Sequence, residues 1–171
     1  PNAESRFSVT IADPDKVERK NLRNQYYTSA DVGVGKARVL SERYQSIYHV
    51  RINQVPSLIE RYVQSDKDLV ELFKVGQRTL APEQPTLNIL IGCVDNQFSR
   101  KLMDDFFQQV QNVVYIDVGN GSIDPKDSES QTGFNGQVVV GVKSQGQELS
   151  RPFSGYFPFG DFNDNPADQS C

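Results

Sequence analysis

The sequence predicts an α/β fold: a mostly parallel sheet with helices on both faces. Three observations carry that expectation. Short stretches with strand periodicity alternate along the chain with longer stretches of helical periodicity, and such alternation implies right-handed crossovers between parallel neighbours. Two of the strand-like stretches are continuous apolar runs rather than alternating ones, the pattern of strands covered on both faces. Polar clusters then follow the strands, at Asp13-Pro14-Asp15, Asp95-Asn96 and Gly119-Asn120-Gly121. In open α/β sheets ligands sit outside the carboxyl ends of the strands, so these clusters are expected to converge on one crevice.

Residues 6–12 alternate Phe7, Val9 and Ile11 against Ser8 and Thr10, which reads as a strand broken by Asp13-Pro14-Asp15. The stretch from about Val34 or Lys36 to Tyr48 has helical spacing, with Val39, Arg43, Tyr44 and Ile47 on one face. Residues 48–55 return to strand alternation until Pro56, and residues 58–63 with 67–75 read as helix interrupted at Ser65-Asp66. A loop is expected over 76–85. The run 87–94 is a buried-type strand that holds Cys93 as a small hydrophobe. Asp95-Asn96 supplies N-cap chemistry for a helix over 98–110, whose apolar face is Phe98, Leu102, Met103, Phe106 and Phe107. Another buried strand, 113–118, ends at Gly119-Asn120-Gly121, and a polar linker precedes a last strand over 137–142. The chain is expected to divide into a nucleotide-binding domain, 1–147, and an extended aromatic tail, 148–171, that packs Phe153, Tyr156, Phe157, Phe159 and Phe162 on this domain or a partner.

The polar clusters match the needs of chemistry on a magnesium nucleotide: an acid for the ribose, a lysine for phosphate charge and an acid for the metal. Asp13 follows the first strand, where an acid accepts hydrogen bonds from ribose hydroxyls; read alone, it is a turn residue before Pro14. Lys36 follows Gly33-Val34-Gly35, where an ammonium can pair with phosphate oxygens; read alone, it is a helix-surface lysine. Asp95 offers one carboxylate to Mg²⁺, or else simply caps a helix. His49, beside Tyr48 and Val50, reads as packing, and no Ser-His-Asp or paired-carboxylate arrangement supports hydrolysis.

These residues carry a family resemblance. Asp13 to Gln25 resembles the Asp-x-Asp-x-Val-x-x-x-Asn-Leu-x-Arg-Gln of the ThiF/MoeB/E1 superfamily, the ATP-dependent activating enzymes of ubiquitin-like and sulfur-carrier proteins. Gly33 to Lys36 is similar to that family's Gly-x-x-Lys, Asp95-Asn96 to its Asp-Asn, and Gly136-Gln137-Val138 to its Gly-Gln-Val; the likeness spans about 6–143. The resemblance implies a Rossmann-like fold and an adenylyltransferase using ATP and Mg²⁺. It assigns Asp13 to the ribose, Asn21, Asn24 and Gln25 to the phosphate path, Lys36 to the phosphates, and Asp95 with Asn96 to the metal end of the nucleotide. Two departures stand out. The family's arginine is Asn24 here, which brings no charge, so Arg23 is the substitute cation. The Gly-x-Gly-x-x-Gly turn of the family's first β-α unit is absent. With Pro1 at the start and the first strand matching the family's second, the chain reads as an internal fragment lacking that unit.

Length and charge narrow the classes. The 171 residues suit one domain, by the usual range of about 100 to 200. A net charge of −4 with no basic run argues against a nucleic-acid partner. No stretch reaches the roughly 18 apolar residues of a membrane span and no signal peptide is visible, so a cytoplasmic protein is expected. Cys93, Cys171 and His49 do not make a structural zinc site. Cys171, in a polar tail, is the candidate for a thioester. The leading expectation is adenylation of the C-terminal carboxylate of a ubiquitin-like or sulfur-carrier protein by a homo- or heterodimer; a carboxylate on a modified tRNA nucleoside is a less favoured acceptor. The rivals are a non-catalytic partner subunit and an NAD(P)-dependent oxidoreductase.

Overall fold

A computed structural model of the chain describes residues 8–48, 52–54, 66–77, 86–120 and 136–159. The chain forms two compact units, Pro1–Pro85 and Thr86–Cys171. In the first, β1 (Val9–Ile11) pairs in parallel with β2 (Ile52–Gln54), in register from Val9↔Ile52 to Ile11↔Gln54. Between them runs α1 (Lys36–Tyr48), which packs on β2, and α2 (Asp66–Gln77) packs on β1. Ala37, Val39, Ile52 and Leu69 form the buried apolar centre of this unit, so the β1–α1–β2 connection is the expected parallel crossover.

The long excursion from β1 to α1 folds back on itself. Val17, 1% exposed, is its anchor: its N–H donates to Val34 O at 2.8 Å, its carbonyl accepts from Gly33 N at 2.8 Å, and Lys16 bridges Gly35. Gly33 has φ +88 with open space where a Cβ would stand, so the backbone conformation alone calls for glycine. Two 3₁₀ turns, Arg19–Arg23 and Ser29–Asp31, complete the excursion. Tyr48 closes α1 rather than opening a strand, and Gly76 and Gln77 belong to α2 rather than to a loop. The expected helix at 58–63 lies outside the described residues.

The second unit is a four-stranded sheet in the order β3-β4-β5-β6. The strand β3 (Asn88–Gly92) runs parallel to β4 (Val113–Asn120), and α3 (Gln97–Gln109) makes the crossover between them. The pairs of β4 with β5 (Gly136–Ser144) and of β5 with β6 (Gln147–Ser150) are antiparallel. Gln145 and Gly146, both at positive φ, form the two-residue hairpin between β5 and β6. The fold is thus α/β with a mixed sheet, consistent with a Rossmann-like core. Met103, Phe106 and Phe107 of α3 are buried, as are Leu90, Val113, Tyr115 and Val139 of the sheet.

Several expectations change here. In β3 Leu90 is buried, but Ile89 and Ile91 are 53% and 59% exposed, so the apolar run is covered on one face. The strand stops at Gly92, which leaves Cys93 exposed in the following turn rather than inside a strand. Gly119 and Asn120 are the last two residues of β4 rather than a turn that follows it at 118, and they pair with Gln137 and Gly136 of β5. Residues 147–150 form β6, and a 3₁₀ turn at Phe153–Gly155 follows. Phe153 is buried there, with the Phe157 and Phe159 rings at 5.2 Å and 5.5 Å from its own. Phe162 and Cys171 lie outside the described residues.

Candidate nucleotide site

In the first unit the site begins where β1 gives way to Asp13. The Asp15 N–H donates to Asp13 Oδ1 at 2.8 Å across Pro14, an Asx turn that reverses the chain locally. This brings Asp15 Oδ2 to 2.7 Å from Lys36 Nζ, while the Lys36 N–H donates to Asp15 O at 2.8 Å. The first residue of α1 is therefore bound to Asp15 through both backbone and side chain, and the Lys36 side chain is 16% exposed. Burial pushes the Asp13 carboxyl above its ordinary value, against the pull of the Asp15 N–H and the Lys36 charge. Burial pulls Lys36 down, but its bond to Asp15 and the charges of Asp13 and Asp15 together hold it above the ordinary lysine value.

Asp13 and Lys36 thus share one electrostatic neighbourhood, and Asp15 joins them. Tyr27 belongs to it too: burial first and then the Asp13 charge raise its phenol, with Lys36 opposing. Its only trace in the sequence is an aromatic pair, Tyr26-Tyr27, inside an otherwise polar loop. Arg43 of α1 holds that loop, with Nη2 at 2.8 Å from Asp31 Oδ2 and Nη1 donating to Tyr26 O. Asp31 in turn accepts from Thr28 N at 2.6 Å and Thr28 Oγ1 at 2.9 Å. The Thr28 N–H is the main reason that its carboxyl lies below its ordinary value.

The residues expected along the phosphate path divide. Asn21 is buried, and its Oδ1 accepts from Glu18 N at 2.8 Å in a reciprocal capping box. Its carbonyl oxygen is thereby committed to shaping the turn, which leaves the amide nitrogen as its donor. Arg23, Asn24 and Gln25 are exposed. Among the described residues the Arg23 guanidinium has neither ion pair nor hydrogen bond, so an exposed, unpaired cation stands one residue before the uncharged Asn24.

Asp95 and Asn96 lie in the second unit. Asn96, not Asp95, is the N-cap of α3, its Oδ1 accepting from Ser99 N at 2.7 Å. That leaves Asp95 exposed, with no hydrogen bond or ion pair among the described residues. A hard, unpartnered carboxylate oxygen suits Mg²⁺, which is held through one or two carboxylates together with nucleotide phosphates. Among the described residues no three acidic, His or Cys side chains cluster as a metal cage, and this mode needs none.

Behind the Asp95 turn lies a buried polar group that the sequence reading missed. Arg100 Nε stands 3.2 Å from Asp117 Oδ1, and Arg100 Nη2 donates to Val94 O at 2.7 Å. Tyr115 OH donates to the other Asp117 oxygen at 3.1 Å, and both Tyr115 and Asp117 are fully buried. Burial and the Asp117 charge push the Tyr115 phenol far up, so it stays a neutral donor. The signals were an Asp inside the apolar run 113–118 and an Arg on the apolar side of the helix at 98–110.

Residues 7–171 match the model of the ThiF family, which extends the likeness beyond residue 143 and through the aromatic tail. Among curated proteins no match is found.

Proposed function

The chain belongs to the ThiF family, within the E1-like superfamily of activating enzymes, and on that premise we propose that it is an adenylyltransferase acting with Mg-ATP. The observation that carries this reading is the Asp13–Asp15–Lys36 cluster at the carboxyl end of β1, where an α/β sheet binds its nucleotide. Asp13 accepts the ribose hydroxyls, Lys36 meets the phosphates, and Arg23 supplies the charge that Asn24 lacks. Asn21, through its amide nitrogen, Asn24 and Gln25 donate along the phosphate path. Asp95 holds Mg²⁺ and Asn96 shapes its turn. Magnesium supplies neutralisation of the crowded phosphate oxygens.

The reacting carboxylate is the C-terminus of a ubiquitin-like or sulfur-carrier protein. Its oxygen attacks the α-phosphate, the bond to pyrophosphate breaks, and an acyl-adenylate forms. The contribution of the protein to this step is orientation and charge stabilisation. The working form is a dimer. Among the described residues no helix is long and apolar enough to cross a membrane. Asn24 favours a second reading, in which this chain is the non-catalytic half of a heterodimer.

Calorimetric titration of the full chain with ATP, with Mg²⁺ and then with EDTA, tests both readings. Magnesium-dependent binding supports the first. Absence of ATP binding overturns it and supports the partner subunit, and binding of NAD(P) instead would redirect the reading to an oxidoreductase. Exchange of labelled pyrophosphate into ATP, with a carboxylate-terminated modifier supplied, then separates adenylation from binding alone.

A further inference from the structure

The Arg100–Asp117 pair sits oddly in the second unit. Arg100 lies in the first turn of α3, where the helix dipole disfavours a cation, and both partners are buried. Apolar side chains of similar size would serve packing as well or better. The sheet is also shaped around the pair. A Cβ at Gly119 would stand 2.9 Å from Arg100 Nη2. The guanidinium is further confined by the Phe153 ring, 5.5 Å away.

What the arrangement achieves is visible at Val94. Asp117, held by Tyr115, orients Arg100, and the remaining arm of Arg100 holds the Val94 carbonyl at 2.7 Å. On the other side of Asp95, Asn96 is fixed by its cap to Ser99. Both neighbours of Asp95 are pinned while its own carboxylate stands exposed and unpartnered among the described residues. We infer that Arg100, oriented by Asp117, is a positioning residue that fixes the Val94–Asp95 turn so that the Asp95 carboxylate is presented to a divalent cation on a nucleotide. The inference rests on the Mg-ATP reading above.

The test is the ratio of ATP affinity with Mg²⁺ to that in EDTA, measured by titration of the full chain. The variants are Asp95→Ala and the apolar pair Arg100→Met/Asp117→Leu, which removes both charges together. Asp95→Ala is expected to abolish the magnesium enhancement. The apolar pair is expected to lower it about tenfold or more, as loss of an outer-shell partner does, with affinity in EDTA and a cooperative thermal transition retained. An enhancement equal to wild type in the folded apolar pair overturns the positioning role and leaves the Mg-ATP reading standing. An unchanged enhancement in Asp95→Ala sinks that reading, and this inference with it.

If the apolar pair does not fold, Arg100→Lys replaces it, because an ammonium cannot span Asp117 and Val94 as the planar fork does. Faster amide hydrogen exchange over 93–99 alone, together with a reduced enhancement, is then the expected result. Wild-type exchange and enhancement overturn the inference.

Discussion

The Asp15–Lys36 pair of the first unit and the buried charges of the second are used in opposite ways, although the first unit also buries Asp68. In the first, Asp15 and Lys36 form a 2.7 Å pair whose acid is half exposed, on a loop held by backbone hydrogen bonds. In the second, Arg100, Asp104, Asp117 and Lys143 are all buried. Each is committed there: Asp104 accepts the N–H and hydroxyl of Ser154 at 3.0 Å and 2.7 Å, and Lys143 Nζ donates to the last carbonyls of α3, Phe107 O and Gln108 O, at 2.8 Å and 3.0 Å. A pair with one partner at the surface contributes about 0 to 1 kcal/mol, and that partner can be exchanged for a ligand. A buried one is expensive to break and has no spare valence to offer. The contrast separates groups that hold the fold from groups available for chemistry, although both appear in the sequence simply as charged residues.

The strongest way to break this contrast is Asp117→Ala, which leaves the Arg100 guanidinium buried without its counter-charge. A loss of about 3–5 kcal/mol is expected, enough to consume much of a domain's stability, and urea denaturation measures it. A loss below about 1 kcal/mol would mean that water already reaches the pair. Next comes Lys143→Ala. It removes charged hydrogen bonds to the C-terminal carbonyls of α3 and the contact of the ammonium with the Phe107 ring at 4.8 Å, and a loss of about 2 kcal/mol is expected. In the first unit, Lys36→Ala should cost less than about 1 kcal/mol of stability yet weaken ATP binding by about tenfold or more, the worth of one charge-assisted hydrogen bond. The reverse outcome, a large stability loss with unchanged affinity, would make Lys36 a structural residue.

The same contrast explains what was legible beforehand. The positions of Asp13 just after β1 and of Lys36 at the start of α1 were readable because spacing relative to a strand end and a glycine turn is a local property, and the crossover β1–α1–β2 follows from period and order. Asp15 as the partner of Lys36 was not, since the two are brought together by the Lys16–Gly35 bridge and the bonds of Val17, which span the excursion. Asp117 and Arg100 were hidden for a related reason: an apolar strand with one acid, and a helix with one arginine on its inner face, acquire meaning only once β4 lies beneath α3. The exposure of Ile89 and Ile91 was equally beyond an apolar run, because hydrophobicity alone does not say how many faces are covered. Asn96 rather than Asp95 as the cap turned on a single residue of helix phase, the least legible feature of any element.

The smallest expected effect is the sharpest test of the contrast. Asp13→Asn keeps an oxygen to accept from the Asp15 N–H, so the Asx turn survives while the charge is lost. Burial raises the wild-type Asp13 carboxyl in the folded chain, so the folded state holds that proton more tightly than the unfolded state does. Its contribution to stability is therefore fully present below the ordinary carboxylate value of about 4 and is lost as pH rises through the raised folded value. Near neutrality the ionised carboxylate is a cost to the fold, and Asn carries no such cost. The thermal midpoint of Asp13→Asn should match wild type at pH of about 3.5 and rise slightly above it toward pH 7, while affinity for Mg-ATP falls because a neutral amide accepts the ribose hydroxyls less well. That combination marks an acid retained against stability for a ligand. A midpoint below wild type at neutral pH would show instead that the Lys36 charge outweighs burial at Asp13, and the first unit would then hold its charges for structure, as the second does.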